Sequence, residues 1–66
     1  MSVYDQPVSI GEIIEVEVRK RGSEGDGIAF VDGLAIFVPG TQPGDEVSIR
    51  IEKVTESCAF GEVWDR

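Results

Sequence analysis

Ile28-Ala29-Phe30-Val31-Asp32-Gly33-Leu34-Ala35-Ile36-Phe37 is the stretch that decides the fold of this chain. Two apolar runs flank Asp32-Gly33. Asp-Gly between such runs signals a two-residue type I′ hairpin, because both central residues of that turn need positive φ. A two-residue turn fixes the register. Val31 then opposes Leu34, Phe30 opposes Ala35, Ala29 opposes Ile36 and Ile28 opposes Phe37. Opposed residues share a face. Ala29, Val31, Leu34 and Ile36 therefore lie on one side, and Ile28, Phe30, Ala35 and Phe37 on the other. The first set is small or branched, as a tight barrel interior requires. The second places two phenylalanines, diagonal neighbours within reach of each other, on the face that alternation assigns to water.

Outward from the hairpin, the apolar residues keep alternating and no segment has helical periodicity. Ile14-Glu15-Val16-Glu17-Val18-Arg19 and Val47-Ser48-Ile49-Arg50-Ile51-Glu52 each read as a strand with one face on a core and one in water. Ala59 and Val63 extend the pattern, with Gly61 between them where a barrel corner bends. The punctuation is strong. Gly22-Ser23-Glu24-Gly25-Asp26-Gly27 is a glycine-rich loop, and Pro43-Gly44 suits the centre of a type II turn. Thr55-Glu56-Ser57 is a short polar turn. The pattern predicts five strands, at about 10–20, 27–31, 34–38, 46–54 and 58–64. The fold class is all-β, a small five-stranded antiparallel barrel of the oligonucleotide-binding type. Residues 1–8 read as an N-terminal arm and 9–66 as one barrel domain.

Composition narrows the functions. A chain of 66 residues holds one domain with a thin core. One cysteine, Cys58, allows no internal disulfide, and with no histidine there is no zinc pattern. These features fit a reducing cytoplasm. The start of the chain lacks the basic and apolar regions of a signal peptide, and no apolar run approaches the ~18 residues of a membrane span. No motif for a nucleophile, a paired acid and base, a metal or another cofactor is present, so the expectation is a binding protein and not an enzyme.

Charge argues in two directions. The net charge is −7, from 13 acids and 6 bases, whereas nucleic-acid binders usually carry a basic excess. Acids dispersed along the chain with only two lysines also suit a halophile's salty cytoplasm. In molar salt the Debye length falls to about 3 Å and net charge repels RNA only weakly.

Several residues are candidates for binding. Phe30 and Phe37 can stack bases, which is worth ~1–3 kcal/mol per base and tolerates any sequence. The same pair has plainer readings: packing on the arm, on Tyr4 for instance, or on another subunit, or a barrel with its faces inverted. Arg19-Lys20-Arg21 is the only basic cluster and stands beside the glycine-rich loop, where glycines let the backbone approach a phosphate. It also reads as a solvated strand end. Arg50 points outward, and Lys53 breaks the alternation, which suggests a bulge or the end of the strand. Phe60 lies opposite in parity to Ala59 and can extend the aromatic face. Trp64 has the same parity, in a position where aromatics often cover a barrel end.

These blocks together look familiar. Gly25-Asp26-Gly27-Ile28-Ala29-Phe30-Val31, Asp32-Gly33, Ile36-Phe37-Val38-Pro39-Gly40, Pro43-Gly44-Asp45-Glu46-Val47 and Ala59-Phe60-Gly61-Glu62-Val63 resemble the TRAM domain over roughly residues 8–64. That resemblance implies a five-stranded oligonucleotide-binding-like barrel that binds RNA. Such domains occur as appendages of tRNA-modifying enzymes and as stand-alone archaeal proteins proposed to be RNA chaperones, similar in role to cold-shock proteins. The hairpin also resembles the aromatic RNA-binding motifs of cold-shock domains. By position this implies Phe30 and Phe37 as base-stacking residues, with Ile28 where an aromatic is often seen. The expected partner is single-stranded or structured RNA (tRNA, rRNA or mRNA), bound by a monomer. The alternative is a protein-interaction module docking on an RNA-modifying enzyme or the ribosome.

Overall fold

In the computed structural model, which describes residues 6–64, Asp32 and Gly33 hold φ of 50° and 84°. Both are positive, as a type I′ turn demands. The hairpin joins β3 (Gly27–Val31) to β4 (Leu34–Val38). Its register pairs Val31 with Leu34, Phe30 with Ala35, Ala29 with Ile36 and Ile28 with Phe37, residue for residue as the turn predicts.

The other strands are β1 (Ile13–Glu17), β2 (Lys20–Arg21), β5 (Glu46–Val54) and β6 (Cys58–Val63), in sheet order β1-β5-β6-β4-β3-β2. The single first strand read from the sequence is thus two strands of one bent segment. Val18 N–H donates to Asp45 O at 2.8 Å, and Arg19 N–H donates to Ile28 O at 2.9 Å. Adjacent residues therefore bond to opposite ends of the sheet, which curls it into a small, partly open barrel. Its start also comes later than the alternation suggests. Residues 9–12 form a turn, in which Glu12 N–H donates to Ser9 O and Gly11 takes φ 89°.

Neighbouring strands are antiparallel except β4 and β6, which are parallel. Counting β1 and β2 as one segment makes a ring of five. An odd ring cannot alternate direction all the way round, so at least one neighbouring pair has to be parallel.

The core settles the faces. Ala29, Ile36, Val38, Ile49, Ile51 and Ala59 have no exposure, while Phe30 is 45% exposed. The inverted barrel is thereby ruled out. Of the segment read as an arm, residues 1–5, Tyr4 among them, lie outside the described residues. Val8 belongs to the core cluster, and the Gln6 side-chain amide donates to Thr55 O and Glu56 O. No helix among the described residues is long and apolar enough to cross a membrane.

Two glycines make this interior possible. A Cβ on Gly61 would meet Ile49 Cδ1 at 2.8 Å. A Cβ on Gly27 would collide with Thr41 Oγ1 and meet Val18 Cγ1 at 2.8 Å. Thr41 is buried there, donating to Val38 O at 2.8 Å, so it cannot retreat without losing that bond. Gly27→Ala is expected to destabilise the fold by about 1–3 kcal/mol as overpacking does, read as a lower melting temperature. An unchanged melting temperature would mean that Thr41 swings clear at no cost.

Candidate nucleic-acid interface

The strand registers assemble one continuous row of outward side chains. Lys20 pairs with Ile28, Ile28 with Phe37, Phe37 with Phe60, and Phe60 with Lys53. The row crosses β2, β3, β4, β6 and β5. At the usual strand spacing it is about 19 Å long. A lysine stands at each end, and apolar and aromatic groups fill the middle.

Geometry within the row is specific. The rings of Phe37 and Phe60 stack with centroids 5.5 Å apart and planes 25° apart. Lys53 Nζ lies over the Phe60 ring, 5.7 Å from its centroid. The register puts Phe37 and Lys53 on opposite sides of Phe60, so one ring face is turned to Phe37 and the other to the lysine. Lys20 Nζ lies over Phe30 at 5.9 Å, and Arg50 Cζ lies over Trp64, also at 5.9 Å. Each such exposed cation–ring contact contributes about 0.5–1 kcal/mol. Together they hold positive charge beside the rings, where the phosphates of a stacked strand would pass.

Lys53 owes its place to a β-bulge. The β5–β6 register shifts between Ile51 and Lys53. The extra residue resets the alternation, so Glu52 and Lys53 are both exposed. The break in the pattern at Lys53 is the bulge.

The structure departs from the sequence reading in which rings meet. Phe37 packs against Phe60, and Phe30 takes Lys20 as its neighbour, where the hairpin alone suggests a Phe30–Phe37 pair. The parallel β4–β6 contact is the cause, and it is invisible in the hairpin's own register. The basic triplet is also divided. Only Lys20 joins the row. Arg19 Nη1 reaches Glu17 Oε1 at 3.3 Å, both groups being well exposed, a pairing worth little. Arg21 borders a shallow recess with Gly25, Thr41 and Asp45. Side-chain alternation separates neighbours that sequence presents as one cluster. Ile28 is half-buried between Lys20 and Phe37 in the row.

One acidic recess lies away from the row. Glu15, Glu17 and Glu46 line a recess with Ser48 where β1 pairs with β5, and Glu17 faces Glu46 across the ladder. At physiological salt, screening acts over about 8 Å, so the distant recess weighs little on the row, whose Lys53–Phe60 end has Glu52 and Glu62 as exposed neighbours.

The fold and the outer row together define a small barrel of the oligonucleotide-binding type. The TRAM domain model matches residues 7–64, and the chain belongs to that family. An uncharacterised protein of Methanocaldococcus jannaschii is 45% identical over 56 residues, which cover 85% of this chain and 73% of that one. Ribosomal RNA large subunit methyltransferase E of Natronomonas pharaonis is also 45% identical, over 85% of this chain but 22% of the enzyme. Translation initiation factor 2 subunit beta of Methanothrix thermoacetophila is 43% identical, over 85% of this chain and 27% of the factor. The chain therefore spans only about a quarter of those two larger relatives. A conserved protein of Methanococcus maripaludis, solved in solution, superposes with a TM-score of 0.84 at 37% identity, over 89% of this chain and 84% of that one.

Proposed function

We propose that this chain binds single-stranded or loosely structured RNA across the outer row, without sequence choice, and acts as an RNA chaperone in the cytoplasm. The observation that carries this reading is the continuous row Lys20–Ile28–Phe37–Phe60–Lys53. It offers stacking surfaces for bases between two cations for phosphates. Stacking needs only the π-face that every base has. Bases held on Phe30, Phe37 and Phe60 cannot pair with one another, so misfolded RNA is released to pair again. Relatives named as an rRNA methyltransferase and a translation factor support RNA as the ligand class. The protein works as a monomeric binding module and not as an enzyme. Its dispersed acids suit function in high salt.

The test is binding of a fluorescent homopolymeric RNA by anisotropy across a wide salt range, with circular dichroism on the same samples. Lys20 and Lys53 give the affinity a falling limb with salt, at about 0.7 units of log–log slope per phosphate contact. Lys53→Met is expected to reduce that slope by about 0.7 and leave molar-salt binding at the parent level, because the rings remain. A variant with the parent's slope would remove Lys53 from the interface. A folded chain that binds no RNA at any salt would overturn the reading and favour a protein partner on this face.

A further inference from the structure

Beyond the row lies a third cation–ring pair that the proposed row does not use. Trp64, the only tryptophan, is 42% exposed. It does not sit on a loose end, since its backbone N–H donates to Ser48 O at 2.8 Å and holds it in register with β5. Phe60 and Glu62 on β6 and Trp64, the residue after its end, share the outer parity. Arg50 covers the indole at 5.9 Å, closely matching Lys53 on Phe60 at 5.7 Å. Arg50 pairs in register with Glu62 on one side and with the exposed Ile13 on the other. The same device, an exposed ring under its own cation, therefore recurs one step along the barrel.

We propose that Trp64 is a further base-stacking position, reached only by a longer RNA strand that already occupies the row. This rests on the RNA-binding reading above. Four residues of strand separate Phe60 from Trp64, or about 13 Å. A stacked strand rises about 3.4 Å per nucleotide, so roughly four nucleotides bridge the gap. Glu62 stands between the two rings and repels phosphate there. The RNA backbone therefore skirts Glu62 and returns to the surface at Arg50. Arg50 Nη1 also lies 3.7 Å from Glu52 Oε2, an exposed pairing worth little; as the base arrives, the guanidinium leaves the ring face and exchanges that carboxylate for the phosphate. The ligand is thus an unpaired strand longer than the row itself. A short loop of a few bases fills the Phe positions and leaves Trp64 bare.

Trp64 reports its own occupancy by fluorescence. The experiment titrates the full chain with oligouridylates from ~3 to ~12 nucleotides, a range that brackets the ~13 Å gap. Tryptophan emission is followed in parallel with anisotropy of labelled RNA. The expected result is binding at every length, with quenching only once the strand is long enough to cross Glu62. Trp64→Leu should weaken the longest oligomer by about tenfold and leave the shortest unchanged. Circular dichroism confirms that the variant folds, and the parent's quenching needs no variant at all. Binding at all lengths with emission unchanged would overturn the proposal and leave the RNA reading intact, with Trp64 merely covering the barrel end. Equal quenching by the shortest oligomer would also overturn it, since Trp64 would then belong to the first row. A folded chain that binds no oligomer would overturn both.

Discussion

Ile36→Ala is expected to remove about 2–5 kcal/mol of stability, the upper part of that range being favoured by the surroundings. Ile36 has no exposure and sits on β4, between β3 and β6. Its cross-strand neighbours are Ala29 on one side and Ala59 on the other. Two alanines have no side-chain length with which to close a cavity, so the space left by the isoleucine stays empty. Residual cavity volume is what separates cheap from expensive truncations. A domain of this size has about 3–10 kcal/mol in total, so the variant should lose a large share of its stability. Denaturant melts followed by circular dichroism measure this directly. A midpoint equal to the parent's would mean that Ile36 is not the centre of the core.

Phe60→Ala is expected to weaken RNA binding by about 1–3 kcal/mol while leaving the fold intact. Phe60 is 38% exposed, and its truncation empties no core space. It does remove the ring that Phe37 stacks on and that Lys53 covers. Phe37→Ala and Phe30→Ala should each lose a similar amount. Touching residues do not contribute independently. The Phe37→Ala, Phe60→Ala double variant should therefore differ from the sum of its singles, whereas Phe30→Ala with Phe60→Ala should add. Anisotropy gives the affinities, and circular dichroism the folded fraction. A variant that loses its fold while binding per folded molecule is unchanged would return that phenylalanine to a structural role.

Much of the fold could be read from the residues because its strongest signal is local. Asp32-Gly33 specifies turn type, register and both faces of the hairpin from ten consecutive residues. The Pro43-Gly44 turn was equally legible: Gly44 has φ 96°, and Asp45 N–H donates to Gln42 O. Pairings between distant segments were not. The alternation around Val16 and Val18 continues smoothly through the bend between β1 and β2, because side-chain parity is blind to which neighbour the backbone bonds. Parity marks Phe60 as outward, but its contact with Phe37 depends on β4 and β6 running parallel, and no local residue announces that. Arg19-Lys20-Arg21 reads as one patch only if proximity in sequence stands for proximity on a face. The signal that corrects it, alternation, is present in the strand itself. Trp64 has the right parity, in a position just past β6 where aromatics often only cover a barrel end. Its hydrogen bond to Ser48 is what makes that position count.

The bent segment Ile13–Arg21, bonded to β5 at one end and β3 at the other, also sets the order in which the molecule can assemble. A hairpin such as β3–β4 closes in microseconds on its own. Joining β6 to β4, and the two halves of the bent segment to their separate partners, needs contacts far apart in the chain, and such closures slow the folding of small barrels. The row draws on five strands, so no fragment formed early contains it. Lys53 meets Phe60 within the β5–β6 hairpin and Lys20 meets Phe30 within the β2–β3 hairpin, but Phe37 meets Phe60 only when β4 and β6 close. A half-folded copy therefore offers RNA only pieces of the row, and RNA bound across the whole row acts as a clasp that favours the finished barrel over every partly opened form.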